Sequence, residues 1–283
     1  MGQDKVILTK KEAIKLLKAQ KLGQTSISLS FDLNKSFQPV FLTSESTIIG
    51  KEKIDLNSLK KIKGNTCYVL ENEDLKKIEF FGEDTNLYYK LKPTKDWPTL
   101  LLSSVPMHRF KHLSPKEDTK TRLEEIRPLK GIILDTCCGL GYSAITLAEG
   151  EAVSKVVSFE RDKNVLRICE YNPHSEALFN NKKIELRNES IFTGIKEFSD
   201  NFFDRVNHDP PTVSFAPELY SDEFYTELYR VMKRGAILYH YCPNPGKTKG
   251  AEFWRTIEKM LERNKFQDIK YHERSSGIRA TKK

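Results

Sequence analysis

Of 283 residues, 38% are apolar and 30% charged, a globular balance with enough apolar material for real cores. No apolar run approaches the ~18 residues of a membrane span, and the start, "MGQDKVILTKKEA", lacks the apolar stretch of a secretory signal. Five cysteines, an odd number without a C-x-x-C pair, exclude a disulfide framework and a zinc knuckle; no metal and a reducing cytoplasm are expected. The net charge of +8 favours a polyanionic partner or an anionic substrate. From Lys247 to Lys283 there are eleven Lys/Arg against five Asp/Glu, which reads either as a solvated surface or as a nucleic-acid footprint.

Along the chain, Thr9 and Glu12 form a capping box ahead of Ala13, Leu16, Leu17 and Gln20 at helical spacing, which predicts a helix over 10–20. Short β-rich runs follow: "SISLSF" (26–31), "PVFLT" (39–43), "TCYVL" (66–70), "KKIEFF" (76–81) and "NLYYKL" (86–91). Turn residues around Asn34, Gly50, Gly64 and Gly82 separate them. "DLNSLKKI" is a helical interlude capped by Asp55. Pro93 and Pro98 end the β-rich region. Ser114, with Pro115 at the first helical position, starts a helix that Pro128 stops. The division expected is a small α+β domain over 1–105, suited to holding RNA, and a second domain over 106–283.

From residue 131 strands and helices alternate. "GIILDT", "KVVSFERD", "KIELRNE", "FDRVNH" and "AILYHYC" read as strands. "YSAITLAEG", "DKNVLRICEYN", "FTGIKEF", "SDEFYTELYRVM" (capped by Ser221) and "AEFWRTIEKMLERN" read as the helices. Such units imply an α/β fold, a parallel sheet with helices on both faces. "FQDIKYHE" and "GIRATKK" close the chain as strands; "RSSG" between them is too short for a crossover, so they pair antiparallel.

Ligands of such sheets bind beyond the carboxyl ends of the strands. The first strand ends at Asp135, and Gly139 and Gly141 follow as D-x-x-x-G-x-G, permitting a tight turn and close backbone approach. A triphosphate loop needs Gly-Lys-Ser/Thr at its end, and Tyr142-Ser143 stands there instead. The second strand ends at Glu160, an acid placed to take both ribose hydroxyls, as in NAD and S-adenosylmethionine proteins alike. The third ends in "RNESI", where Glu189 can hydrogen-bond an adenine amine and Ile191 can pack on its ring. Cys137 and Cys138, without a partner cluster, are small loop fillers.

On "LDTCCGLGYSAI", "SFERD", "RNESI" and "NHDPP", with the final antiparallel hairpin, residues 131–283 resemble a Rossmann-like class I S-adenosylmethionine-dependent methyltransferase. They are similar above all to a group of archaeal methyltransferases, which "MHR" (107–109) and "HDPP" followed by "ELYSDEFYTELYRVMKRG" also match. The resemblance implies that Asp135, Gly139 and Gly141 cradle the methionine part of the cofactor. It implies that Glu160 holds the ribose, that Glu189, Ser190 and Ile191 flank the adenine, and that Thr136, Cys137, Tyr142 and Arg161 line the same site.

"RVNHDPPTVSF" follows the fourth strand and carries the acceptor chemistry. Pro210 and Pro211 remove two backbone donors and stiffen the chain, leaving carbonyls as acceptors beside the Asp209 carboxylate. A carboxylate and a carbonyl side by side suit an amino group with two N–H donors. Accepting both hydrogens draws an exocyclic nitrogen toward tetrahedral geometry and frees its lone pair. The stretch resembles the Asp/Asn/Ser-Pro-Pro-aromatic motif of methyltransferases acting on amines of adenine, cytosine or glutamine. It departs at Thr212, where the motif has an aromatic; Phe215, Tyr220, Tyr241 and Phe110 are the candidates to replace it. His208 either orients Asp209 and accepts a proton late, or packs as a satisfied histidine. His108 and Arg109 are candidates for substrate contact, Arg109 toward a phosphate or a base edge. "CPNPGKTKG" is a basic loop suited to an RNA backbone.

The expected function is methylation of an exocyclic amine in RNA, cytidine N4 of ribosomal RNA in particular. The alternatives are an aminopropyltransferase of the spermidine-synthase type, which needs an acidic pocket for a polyamine, and a non-catalytic RNA-binding protein of the same fold. The sequence leaves oligomeric state open.

Overall fold

The computed structural model describes residues 5–242 and 253–283. The "PNPGKTKG" part of the basic loop lies outside the described residues. Two compact units are formed, one by residues 1–116 with 164–176 and the other by residues 117–163 with 177–283. In the first unit Thr99–Leu102 and Val105–Pro106 pair as a hairpin that extends the preceding strands.

In the first unit the Thr9 capping box forms and the helix runs Lys10–Lys21, burying Ala13, Leu16 and Ala19. Leu29, Val40, Ile49, Ile54, Leu59 and Tyr68 complete its core. "DLNSLKKI" is a single 3-10 turn, Ser58–Lys61, while Asp55 ends a strand and accepts the Asn57 N–H at 2.8 Å. "KKIEFF" is split at Ile78 into the ends of two strands, Asp74–Lys77 and Glu79–Gly82.

The second unit is built on a seven-stranded sheet, labelled here from its first strand. The strands are β1 (Gly131–Asp135), β2 (Val153–Phe159), β3 (Ile184–Arg187), β4 (Phe203–His208), β5 (Met232–Tyr241), β6 (Gln267–His272) and β7 (Gly277–Thr281). The helices are α1 (Pro115–Leu123), α2 (Tyr142–Ala148), α3 (Lys163–Cys169), α4 (Glu176–Asn180), α5 (Ile191–Gly194), α6 (Asp222–Val231) and α7 (Phe253–Arg263); α3 falls almost wholly in the residues grouped with the first unit. The spatial order is β3-β2-β1-β4-β5-β7-β6, parallel except for β7, which runs antiparallel to both neighbours. This matches the α/β, Rossmann-like expectation with one antiparallel strand. The order reverses at β1, so the crevice beyond β1 and β4 is the topological switch point where ligands of such sheets bind.

The core packs Leu134, Val157, Phe203, Val206 and Leu238 from the strands against Phe224 and Leu228 of α6 and Ile257 and Leu261 of α7. Each such side chain contributes about 1.5–3 kcal/mol by burial, which makes the sheet a rigid base for what its strand ends carry. Ser221 caps α6 by accepting the Phe224 N–H at 3.2 Å.

Candidate functional site

At the end of β1 the turn is held by its backbone. The Cys138 N–H donates to the Phe159 carbonyl at 2.7 Å and the Gly141 N–H to that of Cys138 at 2.9 Å. Gly139 and Gly141 have φ of 55° and 80°, the left-handed region that glycine enters without strain. A Cβ on Gly141 would also stand 2.9 Å from Leu178. The turn therefore brings backbone against whatever lies at the amino end of α2. Glu160, past the end of β2, accepts the Gly139 N–H at 2.9 Å through one oxygen and the Asp162 N–H at 2.9 Å through the other. It is thus fixed beside the glycine turn, with Asn188 from the end of β3 donating to its carbonyl at 2.6 Å. Glu189 lies within 3.6 Å of Arg187.

Several of the residues assigned to the cofactor have their side chains engaged or buried. Thr136 is buried and hydrogen-bonds His208 Nδ1 at 2.8 Å. Tyr142 and Ile191 are buried, Ile191 within the core. Ser190 caps α5 through the Phe192 N–H at 3.3 Å. Arg161 points to the loop after β4, donating to the Phe215 carbonyl at 2.6 Å and pairing with Glu218 at 2.8 Å. Cys137 is partly exposed in the turn, and burial of its thiol holds it well above the ordinary value, hence neutral.

Asp135, expected at the methionine part of the cofactor, lies inside the sheet. It is fully buried, accepting from Ser158 Oγ at 2.6 Å and Asn207 Nδ2 at 2.7 Å. Burial pushes its carboxyl up to about 7, against those two donors. Ser158, Asp135, Asn207, Tyr239 and Arg279 are register partners on β2, β1, β4, β5 and β7. Direct partners share a face, so one face of the sheet carries a polar row at the level of the strand ends.

Asp209 follows β4 and is about a quarter exposed. Its carboxylate pairs with the Arg122 guanidinium, which also pairs with Asp118 at 2.6 Å and lies over the Tyr241 ring at 4.0 Å. Burial works against the Arg122 charge, but Asp209 and Asp118 outweigh it and hold the guanidinium well above its usual value. Among the described residues, Arg122 Nε and Asn207 Oδ1 are buried without a hydrogen bond, a donor and an acceptor close to Asp209 in the sequence or in contact with it. The Tyr220 hydroxyl donates to the Pro211 carbonyl at 2.8 Å. Tyr220 thus clasps the Pro-Pro turn. No hydrogen bond to the Pro210 carbonyl occurs among the described residues.

His208 lies inside the unit. It is fully buried, its Nδ1 held by Thr136 and its Nε2 3.3 Å from the Leu219 carbonyl. Burial and His240, whose ring is 4.5 Å away, keep it well below the ordinary histidine value. Both ring nitrogens are thus engaged, and burial favours the neutral imidazole. His108 and Arg109 belong to the first unit, where His108 Nδ1 meets Thr99 Oγ1 at 3.1 Å.

The sequence reading missed Arg122, Asp118 and Asn207. The signal for the first two was an i, i+4 acid–base pair in a helix otherwise poor in apolar residues, which reads as a solvated face. For Asn207 it was a polar residue inside a buried parallel strand.

No protein-family model matches the chain. A relative from Methanocaldococcus jannaschii, "Uncharacterized protein MJ1233", is 36% identical over 289 aligned positions, covering 97% of this chain and 95% of its own length. Among solved structures, a spermidine synthase in complex with the transition-state analogue AdoDATO matches with a TM-score of 0.57 at 14% identity, covering 72% of this chain and 73% of that one. Spermidine synthase from Thermotoga maritima matches with 0.56 at 13% identity over 79% and 76%. A SAM-dependent methyltransferase from Archaeoglobus fulgidus matches with 0.43 at 16% identity over 55% and 69%. The first two extend the likeness of fold well beyond the length of the sheet unit alone.

Proposed function

The chain belongs to the same family as the Methanocaldococcus jannaschii protein, and for it we propose S-adenosylmethionine-dependent methylation of an exocyclic amine of a base in RNA, with cytidine N4 of ribosomal RNA as the specific target. The observation that carries this reading is Asp209, a part-exposed carboxylate at the carboxyl end of β4, followed by a stiff Pro-Pro turn and standing one strand from the glycine turn. The glycine turn and Glu160 fit the methionine and ribose parts of the cofactor, since close backbone approach and a fixed strand-end acid are what those parts need. When bound, the cofactor supplies an electrophilic methyl group.

This chain's residues do the positioning. Asp209 accepts one amine hydrogen and the Pro210 carbonyl is the acceptor for the other. Arg122 holds the Asp209 carboxylate in place, so that its remaining acceptor capacity faces such an amine. Holding the nitrogen in line supplies much of the rate. With Thr212 in the aromatic position and Tyr220 and Tyr241 committed elsewhere, Phe215, about one-third exposed, is the platform for the base. The Tyr220 clasp and the Arg161 pairs keep that loop in place.

Aminopropyl transfer is the second reading, favoured by the extent of the fold likeness to spermidine synthases. Arg122 weighs against it, because a guanidinium already sits on the carboxylate that a cationic amine would need. The test is twofold. Calorimetry with S-adenosylmethionine should show binding, retained in Asp209→Ala, while transfer to RNA from a deletion strain falls by ~100-fold or more, the scale of a lost positioning contact. Equal transfer by the variant removes Asp209 from the mechanism, and putrescine turnover in its place selects the second reading.

A further inference from the structure

The helix Lys10–Lys21 of the first unit, "KKEAIKLLKAQK", carries five lysines and one glutamate. Glu12 is buried in the capping box, accepting the Thr9 N–H at 3.1 Å, so the charge that the helix shows to solvent is wholly positive. At 3.6 residues per turn Lys10, Lys21, Ile14, Lys18, Lys11 and Lys15 follow one another across an arc of about 140°. All six are exposed, while Ala13, Leu16 and Ala19 on the other side are buried. Lys11 donates to Asn34 at 3.1 Å, and among the described residues none of the five lysines pairs with a carboxylate. The elements that pack most on the helix are Val6–Leu8, Ser26–Leu29 and the turn Ser58–Lys61. The first two carry no charged residue, and the turn adds the exposed Lys60 and Lys61. Glu45 follows Ser44, whose carbonyl accepts from Gln20 at 2.5 Å, and Gln20 lies outside the lysine arc.

This arrangement works against the helix itself. Lys11 with Lys15, Lys15 with Lys18 and Lys18 with Lys21 are like-charge neighbours at i, i+4 or i, i+3, and each such pair destabilises. Lys10 and Lys11 stand in the first turn, at the end of the macrodipole that favours anions. A polyanion laid along the arc sets attraction against all of these repulsions. A lipid surface does not fit, because the apolar side that an interfacial helix would insert is already packed in the core, and Ile14 alone stands among the lysines. A protein partner fits less well, since interface centres are depleted in lysine. Lysine ammonium groups hold phosphates as point charges and carry no base readout. The arc has no aromatic on which unpaired bases could stack, so the match is to the phosphates of paired RNA.

We propose that the outer face of the helix Lys10–Lys21 binds the phosphate backbone of a base-paired RNA segment, without regard to its sequence. The choice of RNA over other polyanions rests on the function proposed above, but no residue of the transfer site is used. The test is fluorescence anisotropy of the full chain with a labelled RNA hairpin, its stem about sixteen base pairs long, over a series of salt concentrations. Neutralising two central charges, Lys15→Gln with Lys18→Gln, should weaken binding at low salt by about tenfold and reduce the slope of log K against log salt by about 2. Lys15→Arg with Lys18→Arg should keep both. Lys130→Gln with Lys182→Gln, exposed lysines of the second unit, removes the same net charge and should leave the affinity near that of the wild type. Melting temperature should hold or rise in the helix variant, since repulsion is relieved. Equal losses in the two Gln pairs overturn the proposal, because net charge alone then accounts for binding. So does the absence of binding by the wild type, or binding to phosphatidylserine vesicles that depends on Lys15 and Lys18 while RNA affinity does not. Methyl transfer measured in parallel separates the two readings. Binding that depends on the helix supports this face even where no methyl group reaches RNA. Transfer by a chain whose RNA affinity ignores the helix overturns this face alone.

Discussion

Arg122 shows how one side chain can decide a site that its neighbours advertise. "PKEDTKTRL" gave no hint that its arginine would be buried, because an Asp and an Arg four apart usually brace a wet helix surface; only packing on the sheet buries them. Removing one partner of a buried pair leaves the other charge uncompensated at about 3–5 kcal/mol. Arg122→Met is therefore expected to cost that much in urea denaturation, and Asp118→Leu added to it should recover part. Asp135 supports a pH prediction. Its native carboxyl, raised to about 7 from an unfolded value of 3.8, holds its proton more tightly when folded. That contribution to stability is present below about pH 4 and is lost as pH rises through 7. His240, pulled down to about 4 by burial, and His208 act in the opposite sense, destabilising the fold as pH falls below 6.5. Asp135→Asn removes only the first effect, so between pH 7 and 4 it should lose stability more steeply than the wild type, by up to about 4 kcal/mol across the window.

The strand-end logic was legible at the level of elements because the β–α units of the second half announce themselves by buried runs, by acids at or after the ends of β1, β2 and β4, and by the Ser221 cap. The glycine turn, Glu160 and Asp209 all stand where that logic puts them. What it left out are the partners that arrive through register: Ser158 and Asn207 clamp Asp135 only because three parallel strands align at that level. The first half was harder to read. "STII" and "EKID" are strands of four residues with exposed or charged outer positions, too short to separate from loop by period alone. Two predictions belong to elements. Gly141→Ala meets both a φ of 80° and the Leu178 side chain, and should cost about 1–3 kcal/mol and weaken cofactor binding in calorimetry. Arg161→Ala frees the Phe215 and Glu218 ends of the loop after β4; transfer should fall while S-adenosylmethionine affinity changes little, read as a drop in kcat/KM for RNA.

For the molecule as a whole, alternation fixed the class of the second unit, and the closing hairpin distinguished its sheet. The way the chain distributes itself between units was not visible, since α3 looks in sequence like any crossover helix. Residues 164–176 nevertheless pack with the first unit: Asn164 hydrogen-bonds Asp84 at 2.9 Å, Arg167 lies over Phe80 at 4.3 Å, and His174 meets the Leu33 carbonyl at 3.0 Å. The backbone crosses from one unit to the other three times. No single scissile point separates them, so limited proteolysis between the halves should yield a nicked particle rather than two fragments. A gene truncated to 117–283 should encode an aggregating product whose 164–176 amides exchange rapidly. The two halves are bound to a common inheritance: neither can be traded for a foreign module by simple fusion without reworking a helix embedded in the other's sequence.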